Sequence, residues 1–122
     1  MEIARKRYIR KLLDRKENGL VKVVTGIRRC DKSYLLFHLY KNELINMGVP
    51  AGHIIELALD DIANIKYRNA FRLYSHVKSK IVDASIHYVF LDEIQLPENN
   101  FTDLVNELMH IENLDIYITG SN

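Results

Sequence analysis

Cysteine occurs once in this sequence, at Cys30, so no intrachain disulfide can form. Two prolines and five glycines are too few to suggest a disordered chain. No apolar run reaches the roughly 18 residues of a membrane span, and no secretory signal pattern is present. Both absences point to the cytoplasm and away from a membrane. The five histidines lack metal-ligand spacing, and neither a His-Cys cluster nor a Ser-His-Asp arrangement can be assembled from the motifs. Internal repeats and low-complexity segments are also missing.

The 122 residues, 48% apolar and 27% charged, fit one soluble globular domain with a single core. The net charge of +1 hides an asymmetry. Residues 1–16 carry seven Lys/Arg against Glu2 and Asp14, a net +5, and the remainder is −4. In ARKRYIRKLLDRKENG, Ile9, Leu12 and Leu13 share one helical face, basic residues take the others, and Asn18-Gly19 supplies a stop. The expected organisation is a basic amphipathic helix over 1–19 followed by a core over 20–122.

LVKVVT (Leu20–Thr25), IIELAL (Ile54–Leu59), HYVFLD (His87–Asp92) and DIYIT (Asp115–Thr119) read as buried strands. Between them the spacing predicts helices from about Lys32 to Met47 and from Tyr67 to Val82, the latter with a stripe of Tyr67, Phe71, Tyr74, Val77 and Ile81. A further helix after Pro97 carries Phe101, Leu104, Val105, Leu108 and Ile111 on one face. Apolar strands alternating with helices imply an α/β three-layer sandwich, a parallel sheet of four strands with helices on both faces.

GIRRCDKS, Gly26 to Ser33, has the outline of the phosphate-binding loop G-x-x-x-x-G-K-[ST], or Walker A, set between a strand and a helix. Backbone N–H groups of Gly26, Ile27, Arg28, Arg29, Cys30 and Asp31 at such a helix start would cradle phosphates. In this register Lys32 reaches the β- and γ-phosphates of ATP and the Ser33 hydroxyl ligates Mg²⁺. YVFLDE matches a Walker B strand: Asp92 supports the Mg²⁺ shell, and Glu93 orients and deprotonates the attacking water. Parallel strands end on one edge, so Lys32, Ser33, Asp92 and Glu93 can converge. Ser121 or Asn122, beyond the last strand, lies on that edge too.

With TGIRRCDKS, FLDEIQ and DIYITGSN together, the chain resembles the AAA-type P-loop ATPases of bacteria and archaea, whose ATPase domain precedes a C-terminal domain of uncharacterised function. The resemblance covers almost the whole chain. It implies an ATP·Mg²⁺ site, a hydrolase activity, the AAA-type strand order, and a sensor residue after Thr119 that is either Ser121 or Asn122. It also implies a truncated core lacking a fifth strand and lid, with Leu20–Thr25 left as an exposed apolar edge open to self-association.

Asp31 departs from the family pattern, which has glycine there. Two like charges about 4 Å apart repel by about 4 kcal/mol at an effective dielectric of about 20, so Asp31 should weaken phosphate binding. As a favoured N-cap it would also be able to fold onto the helix N–H groups and take the anion site itself. Two readings therefore stand beside an ATP hydrolase: a nucleotide-independent remnant or interaction module, and a nucleic-acid-binding module using the basic first helix.

Overall fold

Four runs of apolar residues form one sheet in the computed structural model, which describes residues 2–24, 29–94 and 101–120, without the side chains of 2–4 and 29–31. The strands are β1 (Lys22–Val24), β2 (Ile54–Ala58), β3 (His87–Asp92) and β4 (Leu114–Thr119), in the order β1-β4-β3-β2. Every neighbouring pair is parallel. All six residues of β3 are buried, as a central strand covered on both faces requires. Its side chains alternate: Tyr88 and Phe90 enter one core, Val89 and Leu91 the other.

The first core is closed by α1 (Glu2–Asp14) and by a continuous helix. That helix runs from α2 (Arg29–Tyr34) through a π turn (Leu35–Tyr40) into α3 (Lys41–Asn46). Ile9 and Leu12 of α1 meet Leu35, Leu36, Tyr40 and Leu44 over Ile54, Tyr88, Phe90 and Tyr117. Bonding from i to i+5 brings residues five apart onto one face, so Leu35 and Tyr40 both point inward. The helix already includes Arg29 and so begins before Lys32, which places the backbone of Asp31 within it. The expectation of an N-cap at Asp31 is corrected on that point, because a cap residue stands outside the helical hydrogen-bond ladder.

The second core lies under α4 (Ala70–Ser79) and α5 (Phe101–Met109). Leu73, Val77, Leu104 and Leu108 pack there on Ile55, Leu57, Val89, Leu91 and Ile116. Asn69 caps α4, its side chain accepting from the Arg72 N–H at 3.0 Å. Tyr67 accordingly falls in a separate 3₁₀ segment, Ile62–Arg68. The buried face follows Leu73 and Val77, one turn apart, so Phe71 is turned away and 76% exposed. Phe71 does not belong to the core stripe expected from the sequence, and Leu73 does.

On α4, burial, with Lys80 and Lys66 nearby, holds the His76 imidazolium below its ordinary range. The unfolded chain then binds the extra proton more readily, so this contribution is complete above about pH 6.5 and fades as pH falls through the lower folded-state value. Thermal melts should show a midpoint that drops between pH 7.5 and 5.5, and a smaller drop in His76→Gln. Identical drops would remove His76 as the source.

The edge strand β1 inverts the expected pattern. Val23 is 54% exposed, whereas Lys22 is 6% and Val24 0% exposed, because alternation on a three-residue strand turns Lys22 inward with Val24. Among the described residues, no helix is long and apolar enough to cross a membrane. Register pairs Val24 with Thr119, Leu91 with Ile118, and Ala58 with Asp92. The C-terminal ends of all four strands therefore meet along one edge.

Candidate functional site

Asp92, the last residue of β3, has its two carboxylate oxygens held from opposite sides. Ser33, in the first turns after the loop, donates its hydroxyl to Oδ2 at 2.6 Å. Thr119, the last residue of β4, donates to Oδ1. Leu59 N–H reaches the Asp92 carbonyl at 3.1 Å and ties in the end of β2. The helix after the loop and β4 thus hold the carboxylate of Asp92, and β2 holds its main chain.

Glu93 is fully buried and has a left-handed backbone, φ 60°. Its N–H donates to Thr119 Oγ1 at 3.0 Å. Adjacent residues in a strand point to opposite faces, so Asp92 and Glu93 would diverge if β3 ran on. The turn at Glu93 ends the strand and brings the two acids together. Carboxylate oxygens of Asp60, Asp92 and Glu93 lie within 4.8 Å of one another. With the Ser33 hydroxyl they make a set of hard oxygen donors, which suits Mg²⁺ and fits poorly with softer metals.

Lys32 is also buried, and its ammonium donates to the Gly120 carbonyl at 2.5 Å, just beyond β4. Lys32, Ser33, Asp92 and Glu93 therefore all stand at the C-terminal edge of the sheet. Arg29, Cys30 and Asp31 are described by their helical backbone alone. Gly26, Ile27 and Arg28 of the loop, and Ser121 and Asn122 after β4, lie outside the described residues. From the sequence, Asp60 has no assigned part, and Thr119 stands on this edge only as one polar residue beside Ser121 and Asn122. The signal for Asp60 was its place directly after the β2 run, in LALDD; for Thr119 it was the register that sets β4's end beside Asp92.

A second cluster, His53, Asp83 and His87, lies at the other end of β3. His53 Nε2 and Asp83 Oδ2 are 3.0 Å apart. His87 Nε2 accepts from the Val82 N–H, so Nδ1 carries the proton and donates to the Ser85 carbonyl. The two imidazoles are stacked, with centroids 4.4 Å apart and planes 24° apart. Both His87 ring nitrogens are already engaged, which leaves this ring no lone pair to offer a metal. This cluster fastens the connection before β3.

A concavity of about 660 Å³ runs along α1, lined by Arg5, Lys6, Arg7 and Arg10 together with Asp14 and Glu43. It lies on the helical layer, with no residue of the Asp92 site in its wall.

An uncharacterized protein of Haemophilus influenzae is 32% identical over 121 residues, covering 98% of this chain. The chain spans only 30% of that relative's length. No solved structure matches the chain. The family described as an AAA domain matches residues 18–122, from just before β1 through the strand ends that gather Ser33, Asp92, Glu93 and Thr119. By that match and by its four-stranded parallel sheet, the chain belongs to the AAA-domain family of P-loop ATPases.

Proposed function

We propose that this chain binds ATP·Mg²⁺ at the C-terminal edge of its sheet and hydrolyses the γ-phosphate by attack of water. The observation that carries the reading is the contact of Ser33 with Asp92, which joins the loop helix to the acid-bearing strand. Mg²⁺, if bound, would supply positive charge to offset the negative charge of the phosphates. Ser33 and Asp92 would hold it, with Asp60 and Glu93 within reach. Lys32 would exchange the Gly120 carbonyl for phosphate oxygens. Both are acceptors for the same ammonium, so the exchange needs a short side-chain movement. Glu93 would accept the proton of the attacking water. Arg28 and Arg29 are candidates for further phosphate contacts.

Asp31 adds negative charge beside the phosphates and should lower affinity, so binding is expected to be weaker than in a loop with glycine there. Self-association would use the outer edge of β1, where Val23 is exposed.

Thermal unfolding tests the reading. At ATP·Mg²⁺ about 100 times its Kd, the chain should gain about 2.7 kcal/mol. The gain should need Mg²⁺, vanish in Lys32→Ala, and appear at lower ATP in Asp31→Gly. No gain in the parent chain but a gain in Asp31→Gly would instead identify a nucleotide-independent remnant. Nucleic-acid binding that weakens steeply with salt and is lost when the cations of α1 are neutralised would favour the third reading.

A further inference from the structure

We infer that Thr119 is a positioning residue for the acids at the end of β3, setting both the carboxylate of Asp92 and the backbone turn of Glu93. The inference rests on the ATP-hydrolysing reading above. It differs from a sensor role: Thr119 acts through Asp92 and Glu93, and its own hydroxyl is already committed.

A threonine hydroxyl has one proton to give. Here that proton goes to Asp92 Oδ1, while Thr119 Oγ1 itself accepts the Glu93 N–H at 3.0 Å. Thr119 is fully buried, so water does not compete for either bond. Its main-chain carbonyl takes the next amide as well, the Ile94 N–H at 2.9 Å. The last residue of β4 thus receives both N–H groups that follow β3, one on its side chain and one on its backbone.

This double anchor explains why two adjacent acids can serve one site. A non-glycine residue enters the left-handed region at a cost, and the Glu93 N–H bond to Thr119 holds it there. Released, Glu93 would tend to continue the strand and swing its carboxylate to the opposite face of the sheet. With Oδ1 fixed by Thr119, the remaining oxygen of Asp92 is directed at Ser33. One hydroxyl therefore sets the metal-supporting acid and the base together, in the way outer-shell partners orient ligands.

Thr119→Val keeps the side-chain shape and deletes the hydroxyl, while Thr119→Ser keeps the hydroxyl. Calorimetry should measure ATP affinity with and without Mg²⁺, and phosphate release should give turnover, alongside the thermal midpoint. In Thr119→Val the Mg²⁺-dependent part of the affinity and the turnover should each fall about 10–100-fold. Affinity for Mg²⁺-free ATP should be unchanged, and Thr119→Ser should recover most of both losses. If the valine variant does not fold, the contrast of Thr119→Ala with Thr119→Ser carries the same comparison. Parent-like turnover and Mg²⁺ dependence in a folded hydroxyl-free variant would overturn the inference and leave the ATP reading standing. A loss that is equal with and without Mg²⁺ and is not recovered by serine would also overturn it. A parent chain that neither binds nor hydrolyses ATP would overturn both.

Discussion

Glu93→Gln should lower ATP turnover by about 10²–10⁴-fold while ATP·Mg²⁺ affinity stays close to that of the parent chain. Glutamine keeps the length and branching of the side chain, so the left-handed turn and the N–H bond to Thr119 should survive. What is lost is the capacity to take a proton from water. Full burial sharpens the effect, because bulk water cannot easily replace the missing base. Single-turnover phosphate release and calorimetry on the same preparations separate the two quantities. If turnover falls less than about tenfold, Glu93 is not the base, and Asp60, whose carboxylate lies within 4.8 Å of Asp92 and Glu93, becomes the residue to replace. If affinity collapses along with turnover, Glu93 is needed to build the site.

The elements that could be read from sequence are those whose environment is uniform along their length. β3 is readable to the residue because both of its faces are covered, so Tyr88 to Leu91 form an unbroken apolar run between His87 and Asp92. The stripe of α5 was readable because Leu104 and Leu108 lie one turn apart over a single core. Parallel pairing then placed Ser33 and Asp92 on one edge. The features that escaped were set by partners far away in sequence or by a local break in periodicity. The left-handed backbone of Glu93, which sets its carboxylate beside that of Asp92, leaves no mark in FLDE itself. Thr119 gains a role only through register with Asp92, 27 residues earlier. The π turn shifts helical phase midway along an otherwise regular apolar pattern. Phe71, read as core, is turned outward because Asn69 starts α4 later than the apolar spacing suggested. Lys22 looks like a solvent-facing charge in LVKVVT, and its partner Asp115 is 93 residues away.

Removing that partner should cost the molecule much of its stability. Lys22 and Asp115 form an ion pair with side chains 4% and 3% exposed. The Lys22 ammonium also lies 5.2 Å from the centre of the Tyr117 ring. Asp115 accepts further bonds from the Tyr117 hydroxyl at 2.7 Å and from the Glu17 N–H at 2.9 Å. Tyr117 in turn shares a hydroxyl contact with Tyr40 at 2.6 Å, and burial pushes both phenols well above their ordinary range. They stay neutral and available as donors. Asp115→Ala would leave a buried ammonium, a phenol and a backbone N–H without their acceptor, and should cost about 3–5 kcal/mol in urea unfolding. Lys22→Met should cost less, because Asp115 keeps two of its three donors. The double variant Lys22→Met/Asp115→Ala should lie above Asp115→Ala, since no unpaired charge remains, yet below the parent, since the Tyr117 and Glu17 donors stay orphaned. A strictly additive double variant would show that the pair contributes nothing as a pair. Lys22 and Asp115 sit near the N-terminal ends of β1 and β4, whereas Val24 and Thr119 end the same strands at the site. ATP affinity of the folded fraction should therefore be unchanged by Lys22→Met, measured at a temperature where the variant is fully folded. An affinity that falls in step with stability would mean that the two ends of the sheet are coupled, and that the buried pair at one end helps to shape the acids at the other.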